Sequence, residues 1–168
     1  VLLSFNNLDS FAAGTPFDGK NHLSKAGALE SFMGGKVNVV SKASVLVVDD
    51  NRDILDFLCR LLKSNDFESF PAKDYLTAFD LLDLHHPDVV LIDLMMPDLT
   101  GIEFIRHVRE KAEYGDLPII AMSAYDRSYL VAALLAGANS ALHKPEDLDT
   151  LVETIKQVLG RRDSGAVA

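Results

Sequence analysis

Ser44-Val45-Leu46-Val47-Val48-Asp49-Asp50-Asn51 is a continuous apolar run that stops abruptly on two acids and an amide. A strand with one wet face alternates apolar and polar residues, whereas a run without alternation belongs to a strand covered on both faces. The same pattern returns downstream. Asp88-Val89-Val90-Leu91-Ile92 ends on Asp93, Pro118-Ile119-Ile120-Ala121-Met122 ends on Ser123, and the shorter Asn139–Leu142 ends on His143-Lys144-Pro145. Phe67–Phe70 reads as a weaker strand.

Helical spacing fills the gaps between these runs. Ile54, Leu55, Leu58, Leu61 and Leu62 share one face, and Ala78, Phe79 and Leu82 share another within Tyr75–Leu84. Ile102, Ile105 and Val108 follow Gly101. Leu130, Val131, Leu134 and Leu135 precede a helix stop at Gly137, and Leu148, Leu151, Val152, Ile155, Val158 and Leu159 mark a last helix. Five strands alternating with five helices predict a parallel sheet with helices on both faces. In such sheets, sites lie beyond the carboxyl ends of the strands. Asp49, Asp50, Asp93, Ser123 and Lys144 all stand at such ends and are expected to converge.

Composition sets the limits. The chain has 168 residues, 48% of them hydrophobic and 24% charged, with a net charge of −9. That charge argues against nonspecific nucleic-acid binding, which requires phosphate neutralisation by Lys and Arg. The single Cys59 cannot form an internal disulfide, so a reducing compartment, the cytoplasm, is expected, with Cys59 as an inert buried thiol. No apolar run reaches the ~20 residues of a membrane span, and no signal peptide is visible. A first residue Val1 instead of Met reads as a processed product or an excerpt of something longer.

Three converging carboxylates repel one another by about 4 kcal/mol per pair at ~4 Å and an effective dielectric near 20. A hard divalent cation offsets this, and Mg²⁺ uses one or two carboxylates while keeping positions for water and phosphate. Asp49, Asp50, Asp93 and the main-chain carbonyl of Met95 suit that role. Lys144 adds a point charge and Ser123 a hydroxyl. Around a central carboxylate, Asp93, this set suits phosphoryl transfer, which needs positioning and charge neutralisation above all. Asp93 is assigned the nucleophile because its strand is the middle one in sequence. His85, His86 and His107 have no partner at metal-ligand spacing, so zinc is not expected. His143 reads as packed or solvated, and Gly101 as a backbone turn that forbids a side chain.

The segments Val45–Asn51, Leu91-Ile92-Asp93-Leu94-Met95-Met96-Pro97-Asp98-Leu99-Thr100-Gly101, Ala121-Met122-Ser123-Ala124 and Gly137-Ala138 through Lys144-Pro145 stand in order. Over about Ser44–Gly160 the chain resembles receiver domains of response regulators, including chemotaxis-type regulators. The resemblance implies a doubly wound, flavodoxin-like α/β sheet. It also implies phosphoryl transfer from phosphohistidine on a sensor histidine kinase or phosphotransfer protein to Asp93, with Mg²⁺. By resemblance Asp49 and Asp50 bind metal, Ser123 is the hydroxyl switch, and Lys144 is the lysine that precedes a cis proline. The family usually places an aromatic three residues before that lysine; here Ala141 stands there. The output change is then expected to use helix four and the loop after Ser123, including Tyr125. Met95 and Tyr125, neither able to orient water, imply slow loss of the phosphoryl group.

The expected organisation is an extension over 1–43, a receiver domain over 44–160 and a flexible tail over 161–168. Within the extension, Leu23–Met33 reads as a helix, Gly34-Gly35 as its stop and Val37–Ser41 as a strand. That piece faintly resembles the carboxyl edge of a histidine kinase ATP-binding domain, as in a hybrid kinase; the other reading is a packing arm. No output domain is legible after Gly160, so signalling by contact with a downstream protein is expected. The competing readings are a pseudo-receiver that binds partners without phosphate and an aspartyl-phosphate phosphatase. Phosphatases of that class place a second acid two residues after the nucleophile, where this chain has Met95, so turnover as an enzyme is not expected.

Overall fold

A computed structural model describes residues 42–165 apart from Asp98, with side chains described as far as Arg161. The extension elements read at Leu23–Met33, Gly34-Gly35 and Val37–Ser41, and the Asp98 of the central motif, lie outside the described residues.

Five parallel strands form one sheet: β1 Ser44–Val48, β2 Glu68–Ala72, β3 Val89–Asp93, β4 Ile119–Ser123 and β5 Ser140–His143, in the order β2-β1-β3-β4-β5. The middle strand in sequence is thus also the middle strand in space. Every residue of β3 and β4 is buried, as their unbroken apolar runs require. Register fixes the rim: Val48 pairs with Ile92, Asp93 with Met122, and Ser123 with His143. In β2 the backbone alternates. Glu68 N–H donates to Ala43 and the Ala72 carbonyl accepts from Asp49, so the odd residues, Pro71 among them, turn their backbone groups away from β1.

Helices α1 Arg52–Ser64 and α5 Leu151–Gly165 cover one face, burying Leu55, Leu58, Leu62, Leu151, Ile155 and Val158 against Val45, Val47, Leu91 and Met122. Helices α2 Tyr75–His85, α3 Gly101–Glu110 and α4 Arg127–Leu135 cover the other, where Phe104 packs near Tyr75 and Phe79. The fold is therefore doubly wound, as expected. Side-chain caps start the helices. Asn51 accepts from the Asp53 and Ile54 amides, Asp74 from Thr77, and Thr100 with Glu103 forms a reciprocal capping box.

Three expectations need correction. Leu130 is buried in α4, but its other core contact is Ala133, and Val131, Leu134 and Leu135 are exposed, Leu135 by 85%. The sequence Tyr129-Leu130-Val131-Ala132-Ala133-Leu134-Leu135 is apolar on every side, so its pattern selects no face, and the small Ala133 permits close approach to the sheet. Cys59 is only half-buried, on α1 beside a shallow depression lined by Asp56, Arg60, Lys63 and Ser69. Helix α5 continues past Gly160 to Gly165, into the segment read as a tail.

Candidate functional site

The sheet brings its polar residues to one rim because each apolar strand ends where its polar residue begins. Asp49 follows β1, Asp93 ends β3, Ser123 ends β4, and Lys144 follows β5. All four are buried, while Asp50 is exposed. Carboxylate oxygens of Asp49, Asp50 and Asp93 lie within 4.8 Å of one another. The Lys144 ammonium enters between two of them, 2.6 Å from Asp49 Oδ2 and 3.0 Å from Asp93 Oδ1. The Lys144–Pro145 bond is cis.

Backbone amides hold the two buried acids. Asn51 N–H donates to Asp49 Oδ1 at 3.0 Å, and Met95 N–H donates to Asp93 Oδ2 at 3.2 Å. The amide of Met95 thus bonds Asp93, while its carbonyl is the group expected to face a metal. Burial pushes the Asp93 carboxyl above its ordinary value of 3.8, and the Lys144 ammonium draws it part of the way back. Three carboxylates face one ammonium, so the pocket keeps an excess of negative charge. Hard oxygen donors, excess negative charge and one exposed acid fit a Mg²⁺ ion that retains water ligands.

The other half of the rim is tied by loops. Ser123 Oγ accepts from Tyr125 N–H at 3.1 Å, and the Ser123 carbonyl accepts from Lys144 N–H at 2.8 Å. Ala141 is half-buried and packs against the core. Gly101 is forbidden a side chain for a reason the sequence did not show: an added Cβ would lie 2.5 Å from the Asp93 carbonyl oxygen and 2.8 Å from Leu94 Cα.

His143 is packed, one of the two states expected for it: its Nε2 lies 2.8 Å from the Tyr125 carbonyl and its Nδ1 2.5 Å from Glu146 Oε2. Its backbone N–H donates to Asp147 Oδ2 at 2.9 Å. The acids three and four residues beyond it were the available signal. The contact with Glu146, then that with the Tyr125 carbonyl, raises the imidazole above its ordinary 6.5.

Fold and rim together define a class: small doubly wound domains built around an acidic pocket with one inserted lysine. The chain belongs to the response regulator receiver domain family, whose model matches residues 45–156. It is 34% identical over 124 residues to the phosphate regulon transcriptional regulatory protein PhoB of Escherichia coli, covering 73% of this chain and 54% of that protein. It is 40% identical over 118 residues to the response regulator MprA of a Mycobacterium species, covering 70% and 50%. The chain thus matches about half the length of these curated relatives. Among solved structures, chemotaxis protein CheY4 of Vibrio cholerae matches with a TM-score of 0.65 at 30% identity, covering 70% of this chain and 98% of that one. The protein carries a receiver domain of two-component signalling. Among the described residues, no helix is long and apolar enough to cross a membrane.

Proposed function

We propose that Asp93 accepts a phosphoryl group from the phosphohistidine of a sensor histidine kinase or histidine phosphotransfer protein. The P–N bond of the donor breaks as a P–O bond to the Asp93 carboxylate forms. The observation that supports this best is the Lys144 ammonium held between Asp49 and Asp93, residues 95 and 51 positions away in sequence. An ammonium in that place sustains the carboxylate form of Asp93 against the burial that opposes it. It also stands ready to neutralise the incoming phosphoryl oxygens. Ser123 offers a hydroxyl donor from the adjacent strand.

Asp49, Asp50, Asp93 and the Met95 carbonyl would hold Mg²⁺, which supplies charge neutralisation at the phosphoryl oxygens when bound. The absence of an acid at Met95 supports a module that keeps its phosphoryl group and signals by contact with a downstream protein, instead of an enzyme that turns over. This chemistry suits the cytoplasm, where ATP-dependent kinases act. The test is incubation with a small phosphodonor and Mg²⁺, followed by intact mass and a phosphate-release assay. A lasting gain of one phosphate on wild type and none on Asp93→Asn is expected. Steady phosphate release favours the phosphatase reading, and no gain on wild type favours the pseudo-receiver.

A further inference from the structure

We propose that His143, as an imidazolium bridging Glu146 and the Tyr125 carbonyl, is a positioning residue that ties the Ser123 loop to the Lys144 loop and is released when Asp93 is phosphorylated. The inference rests on the phosphoacceptor reading of Asp93.

The protonation state follows from the contacts. Both ring nitrogens face oxygen atoms, one of them a carbonyl that has no proton to give. A neutral imidazole carries one N–H and satisfies only one such partner, whereas the imidazolium satisfies both. The ring is largely enclosed, with 19% of its side chain exposed. Among the described residues, the charged groups facing it come from two loops. Glu146 and Asp147 face it from its own loop, Asp126 and Arg127 from the start of α4, and the Lys144 ammonium is turned to Asp49 and Asp93. The raised imidazole described above agrees with this arrangement.

The coupling follows from Tyr125. Its N–H is held by the Ser123 hydroxyl and its carbonyl by His143, so the two backbone polar groups of one residue link the hydroxyl to the imidazolium. Ser123 and His143 are also register partners on neighbouring strands. A phosphoryl group on Asp93 presents new acceptor oxygens to the Ser123 hydroxyl. As Ser123 turns to them, Tyr125 follows and its carbonyl leaves the imidazolium. Residues i and i+2 of a strand share a face, so His143 lies on the same face as Ala141, one step nearer the rim. An imidazole there takes up a motion that a methyl group cannot.

By linkage, whatever phosphorylation does to the His143 proton, the proton does to phosphorylation. The experiment is an NMR titration of the His143 ring in the full chain with Mg²⁺, with and without beryllofluoride as the phosphoryl mimic. The resonance is assigned among the five histidines by loss in His143→Gln. A midpoint above 6.5 that falls in Glu146→Gln and falls by about 0.5 on mimic binding is expected. That fall corresponds to about threefold tighter mimic binding above the titration than below it, a ratio His143→Gln loses. A mimic that binds at Asp93 while the His143 midpoint stays fixed overturns the proposal and leaves the phosphoacceptor reading intact. A mimic that does not bind overturns the phosphoacceptor reading, and this inference with it.

Discussion

Across the rim of one sheet, the β1–β3 half and the β4–β5 half treat their polar groups in different ways. At the ends of β1 and β3, three acids crowd together with one ammonium among them. At the ends of β4 and β5, Ser123 and His143 are already joined to Tyr125, and His143 to Glu146. The first half is charged beyond what its own residues neutralise and is ready for a ligand. In the second, His143 and Tyr125 already hold each other, and the Ser123 hydroxyl, an acceptor toward Tyr125, keeps its own proton to donate. Both halves bind protons on folding, in separate windows. For Asp93, with its folded value raised, stability is lost as pH rises from 3.8 through that folded value. For His143 the contribution is complete below 6.5 and is lost as pH rises through its raised folded value.

The largest expected effect removes the centre of the acidic half. Asp93→Asn lowers phosphate uptake by more than about 1,000-fold, read by intact mass. The same change frees the fold from a buried acid, so in metal-free buffer its melting temperature exceeds wild type at neutral pH, and the gain vanishes below pH 3.8. Equal melting temperatures at both pH values would remove the claim that this half is under charge strain. Lys144→Ala leaves Asp49 and Asp93 without their shared cation and costs about 3–5 kcal/mol in denaturant melts without metal. Added Mg²⁺ restores more stability to this variant than to wild type.

A steric change sharpens the contrast further. Gly101→Ala forces a Cβ against backbone atoms of Asp93 and Leu94 and costs about 1–3 kcal/mol, with slower phosphate uptake expected as Asp93 is displaced. On the other side, Leu135→Glu at the exposed end of α4 changes stability by less than about 0.5 kcal/mol. A larger loss would mean that Leu135 is held against other residues and is not exposed.

How much was legible follows from the same physics. β1, β3 and β4 were readable because strands buried on both faces have no polar residues until they end. The ending residues are then the site. α1 was readable because its apolar residues lie opposite Asp53, Asp56, Arg60 and Lys63. α4 was not, since Leu, Val and Ala occupy all its sides and only the sheet decides which are covered. Gly101 announced that a side chain was forbidden, but its close approach to β3 depends on a packing angle that no local pattern records. The partners of His143 were not legible because one of them is 18 residues away, across a strand pairing, and strand alternation alone said only which face it takes.

Pro71 sits on β2, the outermost strand beside β1, with its ring nitrogen on the side away from that neighbour. Proline has no amide hydrogen, so an extended peptide trying to lengthen the sheet there would meet a missing rung at the fourth position of a five-residue strand. The missing donor weakens strand addition on that flank, one of the ways an edge is protected against edge-to-edge aggregation.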